Sequence, residues 1–175
     1  MTFTESNHSA SQNALHQNND GKFLTFSLDR EDYGIDILQV REIIGLMPIT
    51  GIPQSPDYMR GVVNLRGKVV PVIDLRQKFD LNQGDNTQRT CIIVVEINHG
   101  QSKKMVVGLV VDSVSEVLYI KEENIEPPPN LGVANFNDTD HIMGMAKLAG
   151  KVKILLNIDY ILGTAEVEPL ISSIQ

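Results

Sequence analysis

From Phe23 onward the apolar residues come in short runs divided by polar or glycine-rich turns. Phe23-Leu-Thr-Phe-Ser-Leu28 opens as a strand and Asp29 to Asp32 forms a polar turn. Tyr33-Gly-Ile-Asp-Ile37 then alternates apolar with small or polar positions, so the segment predicts a β-hairpin. Val40-Arg-Glu-Ile-Ile44 reads as either one helical turn or a continued strand, and Gly45, Pro48, Gly51, Pro53 and Pro56 punctuate a loop-rich stretch after it. Ser55-Pro56 followed by Gly61 has the order of cap, first-turn proline and stop, which predicts one short helix between them. Asn64 to Lys68 is a turn, and Val69-Val-Pro-Val-Ile-Asp-Leu75 is the strand that leaves it.

The second half repeats the programme. Apolar strands span Cys91 to Ile97 and Met105 to Val111, with a turn around His99-Gly-Gln-Ser and a further strand from Glu116 to Ile120. Gly61-Val-Val-Asn-Leu-Arg66-Gly-Lys-Val69 matches Gly144-Met-Ala-Lys-Leu-Ala149-Gly-Lys-Val152 at an offset of 83 (144 − 61). Gly34 to Ile43 matches Gly108 to Val117 at an offset of 74 (108 − 34), which aligns Val40 with Val114 and Glu42 with Glu116. The chain is therefore two related units: an N-terminal tail over 1–21, a first repeat over 22–81, a polar joint over 82–90, a second repeat over 91–163 and a frayed tail over 164–175. Short, evenly spaced strands with almost no long helix predict an all-β fold. About five strands per repeat correspond to two small SH3-like barrels, between which strands may be exchanged, with one or two short helices.

Composition narrows the function. The 175 residues carry a formal charge of −7, and the basic residues are not concentrated in any one stretch, so nucleic acid and anionic membranes are disfavoured partners. Aromatic content is 5% with no Trp, which also speaks against stacking single-stranded bases in a small barrel. No apolar run approaches the roughly 18 residues that span a bilayer, so the expectation is a cytoplasmic protein without membrane insertion. The lone Cys91 sits in an apolar run and reads as a buried small hydrophobe. Residues 1–21, rich in Ser, Asn and Gln, read as a disordered leader, and His8 and His16 within it do not make a metal site.

Catalytic patterns are missing. Gly61 and Gly67-Lys68 imitate a phosphate-binding loop, but five residues separate the glycines instead of four, and Val69 stands where a magnesium-holding hydroxyl is needed. No nucleophile elbow, zinc-binding pair or His-Glu-x-x-His occurs. Asp36, Asp74, Asp112 and Asp159 end or interrupt apolar strands and read as structural or turn-capping carboxylates. The chain is read as no enzyme, with no cofactor and no metal.

What the repeat leaves over is Arg66, whose counterpart is Ala149 in the same turn. Arg66 and Glu42 are either solvated surface groups or a charge-assisted pair that orients a partner.

At this point the residues carry a resemblance. Phe23-Leu-Thr-Phe, Tyr33 to Ile43, Tyr58 to Arg76 and Val107 to Val117 resemble the CheW family of bacterial chemotaxis coupling proteins, in order and over about residues 22 to 163. The N-terminal tail, the loop around 130–141 and the C-terminal extension depart from it. The resemblance implies two SH3-like barrels and an adaptor joining the cytoplasmic tip of transmembrane chemoreceptors to the regulatory domain of the histidine kinase CheA, in arrays beneath the inner membrane. It implies a receptor site at Val40, Glu42, Ile43, Gly61 and Arg66, in a groove between the barrels. It names no kinase-binding residues, although the kinase domain's own resemblance to the family implies barrel-to-barrel packing. The alternatives are a scaffold of the same kind in another sensory pathway, such as surface motility, and, further off, a small-barrel nucleic-acid binder.

Overall fold

The computed structural model describes residues 21–81, 84–99, 103–128, 140–163 and 167–174. The expected leader, with His8 and His16, and most of the 130–141 loop lie outside these residues. Eleven strands occur among the described residues: β1 Gly21–Leu28, β2 Glu31–Asp36, β3 Val40–Gly45, β4 Met59–Leu65, β5 Lys68–Asp74, β6 Cys91–His99, β7 Lys103–Val111, β8 Ser113–Ile120, β9 Ile125–Glu126, β10 Ile142–Leu148 and β11 Lys151–Leu156. Short helices follow β5, β11 and the last gap: α1 Leu75–Lys78, α2 Ile158–Leu162 and α3 Glu168–Ser172.

Two sheets result, ordered β8-β1-β2-β11-β10-β9 and β3-β6-β7-β5-β4. The all-β, duplicated fold read from the sequence is what the chain forms, and β8-β1-β2-β11-β10 corresponds strand for strand to β3-β6-β7-β5-β4. The parallel contact Leu155↔Gly34 in one sheet is Val72↔Gly108 in the other, displaced by the same offsets of 83 and 74. Each sheet curls because the chain carries its edge back to the opposite side. After β3 the chain bridges to β4 through Thr50↔Val62, as β9 after β8 pairs with β10 through Glu126↔Met145.

The sheets are not contiguous halves of the chain. The β1–β2 hairpin lies with β8 to β11, and the β6–β7 hairpin with β3 to β5, so each barrel borrows a hairpin from the other repeat. Crossings are short: Asp112 alone separates β7 in one sheet from β8 in the other. This exchange explains the continuous apolar run at Cys91–Val95. On β6, Ile93, Val95 and Ile97 enter a central core shared by both sheets, while Ile92 and Val94 fill the interior of the β3–β7 barrel. A strand buried on both faces has no polar alternation to show.

Two expectations are corrected, and one open alternative is decided. No helix forms between Ser55 and Gly61; Ser55 Oγ donates to the Ile52 carbonyl (2.7 Å), Met59 N donates to the Pro56 carbonyl (2.9 Å), and β4 already begins at Met59. Capping and proline signals there describe a turn, because too few residues remain for a helix before the strand. Val40–Gly45 is strand β3, and the single helical turn precedes it at Ile37–Gln39. The C-terminal segment is not frayed: Val167 and Ile171 are fully buried in the central core, with α3 carrying Pro169 in its first turn.

Candidate protein-docking site

Strand β3 is an edge strand, bulged between Val40 and Glu42. The bulge sends Val40 against the central core and leaves Glu42 half-buried opposite Val94. Ile43, beside Ile93, is 46% exposed. At the other edge of the same sheet, β4 and β5 are joined by a turn in which Arg66 and Gly67 both take positive φ, 51° and 85°. The Asn64 side chain accepts from Gly67 N (2.8 Å) and holds that turn.

This geometry lets Arg66 reach across the barrel. Its Nη1 donates to Glu42 Oε2 (3.2 Å) and its Nη2 to Glu42 Oε1, a forked pair that joins the two edge strands of one sheet. The carboxylate raises the guanidinium pKa above its ordinary value, chiefly through the hydrogen bond. Arg66 is nonetheless 73% exposed, and solvated ion pairs contribute little to stability. The opposite barrel makes the equivalent turn with Ala149 at φ 49° and no such fork.

Gly61 has a different part. Its φ is 138°, and a Cβ there would stand 2.0 Å from the Thr50 carbonyl oxygen. Gly61 is thus required for the Thr50–Val62 contact that closes the barrel. A groove of about 1050 Å³ opens at this end of the barrel and contains Glu42 and Arg66. Of the five residues expected at a receptor site, the structure brings Glu42 and Arg66 together in that groove. Val40, Ile43 and Gly61 are near in the fold but do not line it.

Two features were invisible in the sequence. Arg41, Arg66, Lys68 and Lys104 converge on the groove from β3, the β4–β5 turn, β5 and β7, so a chain with no basic stretch has a cationic concavity. Beneath the sheets, Arg76, 1% exposed, donates through Nε and Nη2 to Asp74 (both 3.0 Å) and through Nη1 to Asp112 (3.0 Å). Asp112 also accepts from Asp29 N (2.6 Å), so a buried arginine ties the crossing between sheets to the β1–β2 turn. The four flagged aspartates all act structurally: Asp36 caps the turn before β3, Asp74 caps α1, and Asp159 accepts from Gln39 Nε2 and Asn98 N.

A family model described as "CheW-like domain" matches residues 22–166. The chain belongs to the CheW-like family. It is 43% identical over 145 residues to the chemotaxis protein CheW of Klebsiella aerogenes, covering 83% of each chain, and 32% identical over 156 residues to that of Rhizobium meliloti, covering 89% of this chain and 96% of the relative. Protein FrzA of Myxococcus xanthus is 29% identical over 146 residues, covering 82% of this chain and 86% of the relative. Among solved structures, the scaffolding protein TtCheW of Thermoanaerobacter tengcongensis superimposes with a TM-score of 0.72 at 39% identity, covering 84% of this chain and 95% of that one. The CheW-like relatives span both barrels, and with them the chain is a coupling, or scaffold, protein of bacterial chemotaxis. No described helix is long and apolar enough to cross a membrane.

Proposed function

We propose that this protein is a non-catalytic adaptor that holds the cytoplasmic tip of chemoreceptors and the regulatory domain of the histidine kinase CheA in one complex, in the cytoplasm, at arrays beneath the inner membrane. The observation that carries the reading is the Glu42–Arg66 fork. Its arginine is exposed, it is absent from the equivalent place in the second repeat, and the barrel fold does not need it, since Ala149 makes the same turn. A forked carboxylate–guanidinium pair at a groove rim supplies directional donors and acceptors to a helix laid beside it. Exposed Ile43 adds an apolar contact on the neighbouring face, and Val40 and Gly61 support the strands that present the pair. Residues binding the kinase are not assigned.

The test is reconstitution. The protein mixed with a receptor-tip fragment and the CheA regulatory domain should elute as a ternary complex by size exclusion, and each partner alone should bind as well. Failure to bind either one contradicts the adaptor reading. The FrzA relative keeps a second reading in view, the same scaffold role in another sensory pathway. That reading is favoured if receptor and kinase from another system bind more tightly than those of the chemotaxis array.

A further inference from the structure

The groove beside the Glu42–Arg66 fork has a chemistry of its own. Among the described residues four cations line it, Arg41, Arg66, Lys68 and Lys104, against one lining carboxylate, Glu42. Glu96, just outside, bonds Arg41 and lies 3.4 Å from Lys104, and those two contacts, Arg41's first, lower its pKa. After all pairings, Lys68 has no ion-pair partner among the described residues. In a protein of formal charge −7 this is a local reversal of sign. The walls are apolar: Val69 is exposed on β5, and Ile174, beyond α3, reaches the groove from the C-terminal end.

Ile174 is there because of how α3 is anchored. Val167, Ile171 and Ile174 form a stripe at i, i+4 and i+7, and the first two are fully buried. A helix of five residues has no stability alone, so this stripe is what holds the segment in place. Ile174 is thereby positioned as part of the groove wall.

We propose that this groove takes an acidic amphipathic helix, the receptor tip of the reading above, and that Ile174 and Lys68 are specificity-determining residues of that site. Lys68 and Lys104 meet the acidic face, and Val69 and Ile174 meet the apolar one. Charge complementarity selects a protein helix over the alternatives: the overall field repels nucleic acid, and the described lining offers no aromatic ring for stacking a base. The inference rests on the receptor-coupling function and fails separately from it.

The probe is the cognate receptor-tip fragment, titrated against full-length protein at about 50 mM and 300 mM salt, with the CheA regulatory domain as a parallel ligand. Lys68→Glu should weaken receptor-fragment binding at least fivefold at low salt, with most of the difference lost at high salt, because exposed charges are screened. Ile174→Ser should weaken it at least threefold at both salts. Lys68→Glu should melt near the wild type, Ile174→Ser should melt somewhat lower because Ile174 belongs to the stripe that anchors α3, and both should bind the kinase domain normally. Wild type that binds neither ligand overturns the coupling reading itself. Wild type that binds the receptor fragment while both variants bind equally well overturns this proposal alone, as does loss confined to the kinase domain. A short single-stranded oligonucleotide that displaces the receptor fragment at comparable concentration would also overturn it, marking the groove as a nucleic-acid site.

Discussion

Arg66 and Ala149 occupy the same left-handed position of the same turn in two repeats, at φ 51° and 49°, and only Arg66 extends to a carboxylate across its barrel. The backbone of that turn therefore does not depend on the arginine. Arg66→Ala should keep the melting temperature within about 4 °C of the wild type, the small shift expected for a chain of this size when no buried interaction is lost. It should weaken receptor-fragment binding at least tenfold. A large fall in melting temperature would make Arg66 a structural residue.

Arg76 is the opposite case. It is buried between Asp74 and Asp112, with Asn86 Oδ1 at 3.3 Å and Arg60 3.7 Å from Asp74. Arg76→Ala leaves the buried Asp74 carboxylate with only the more distant Arg60, and breaking such a buried pair costs about 3–5 kcal/mol. Urea unfolding should show that loss. Asp74→Asn added to Arg76→Met should recover part of it, since the fully buried carboxylate is then neutral and only the partly exposed Asp112 loses its cation. Equal stability of Arg76→Ala and wild type would refute the network's role in locking the sheets together.

Gly61 belongs to the expected receptor site, yet its geometry gives it a backbone task. Gly61→Ala should destabilise the protein by at least about 2 kcal/mol, combining the strained φ with the clash at the Thr50 carbonyl. Gly45→Ala, on the same loop's far side with nothing within 4 Å of the new Cβ, should cost far less. If both substitutions are equally mild, Gly61 acts through its surface and not through barrel closure.

Cys91 is buried, and burial raises its thiol pKa above the ordinary value. At pH 8 a thiol reagent should therefore react with the native protein far more slowly than with the urea-unfolded chain. Comparable rates would place Cys91 at the surface.

The repeat was legible because both copies keep the turn glycines, Gly67 and Gly150, each at positive φ, and the lysine after each. Which hairpin joins which barrel was not, since an offset aligns positions without saying what pairs with them. β6 conceals the exchange by being apolar on both faces. The cationic groove could not be read from the chain, because positions 41, 66, 68 and 104 meet only after the strands are ordered. Arg66 was found by asking what one repeat has and the other lacks, and Glu42, whose counterpart is Glu116, as a carboxylate within an apolar run that could pair with it. Val40 and Ile43 came with them from the family resemblance, and their side chains are directed elsewhere than the groove. The C-terminal helix was missed for want of signal: Val167, Leu170, Ile171 and Ile174 are a short apolar set in a segment with a proline and two serines, and only the core beneath gives it a reason to order.

The adaptor must hold two partners at once, so its two sites should be separable, and the most direct measurement is Glu42→Lys assayed against both. Reversing the charge places two cations together at the groove rim, which should weaken receptor-fragment binding at least tenfold, about 1.4 kcal/mol. Affinity for the CheA regulatory domain should stay within about threefold, and the melting temperature should hold. Equal loss of both partners in a folded Glu42→Lys protein would contradict the account.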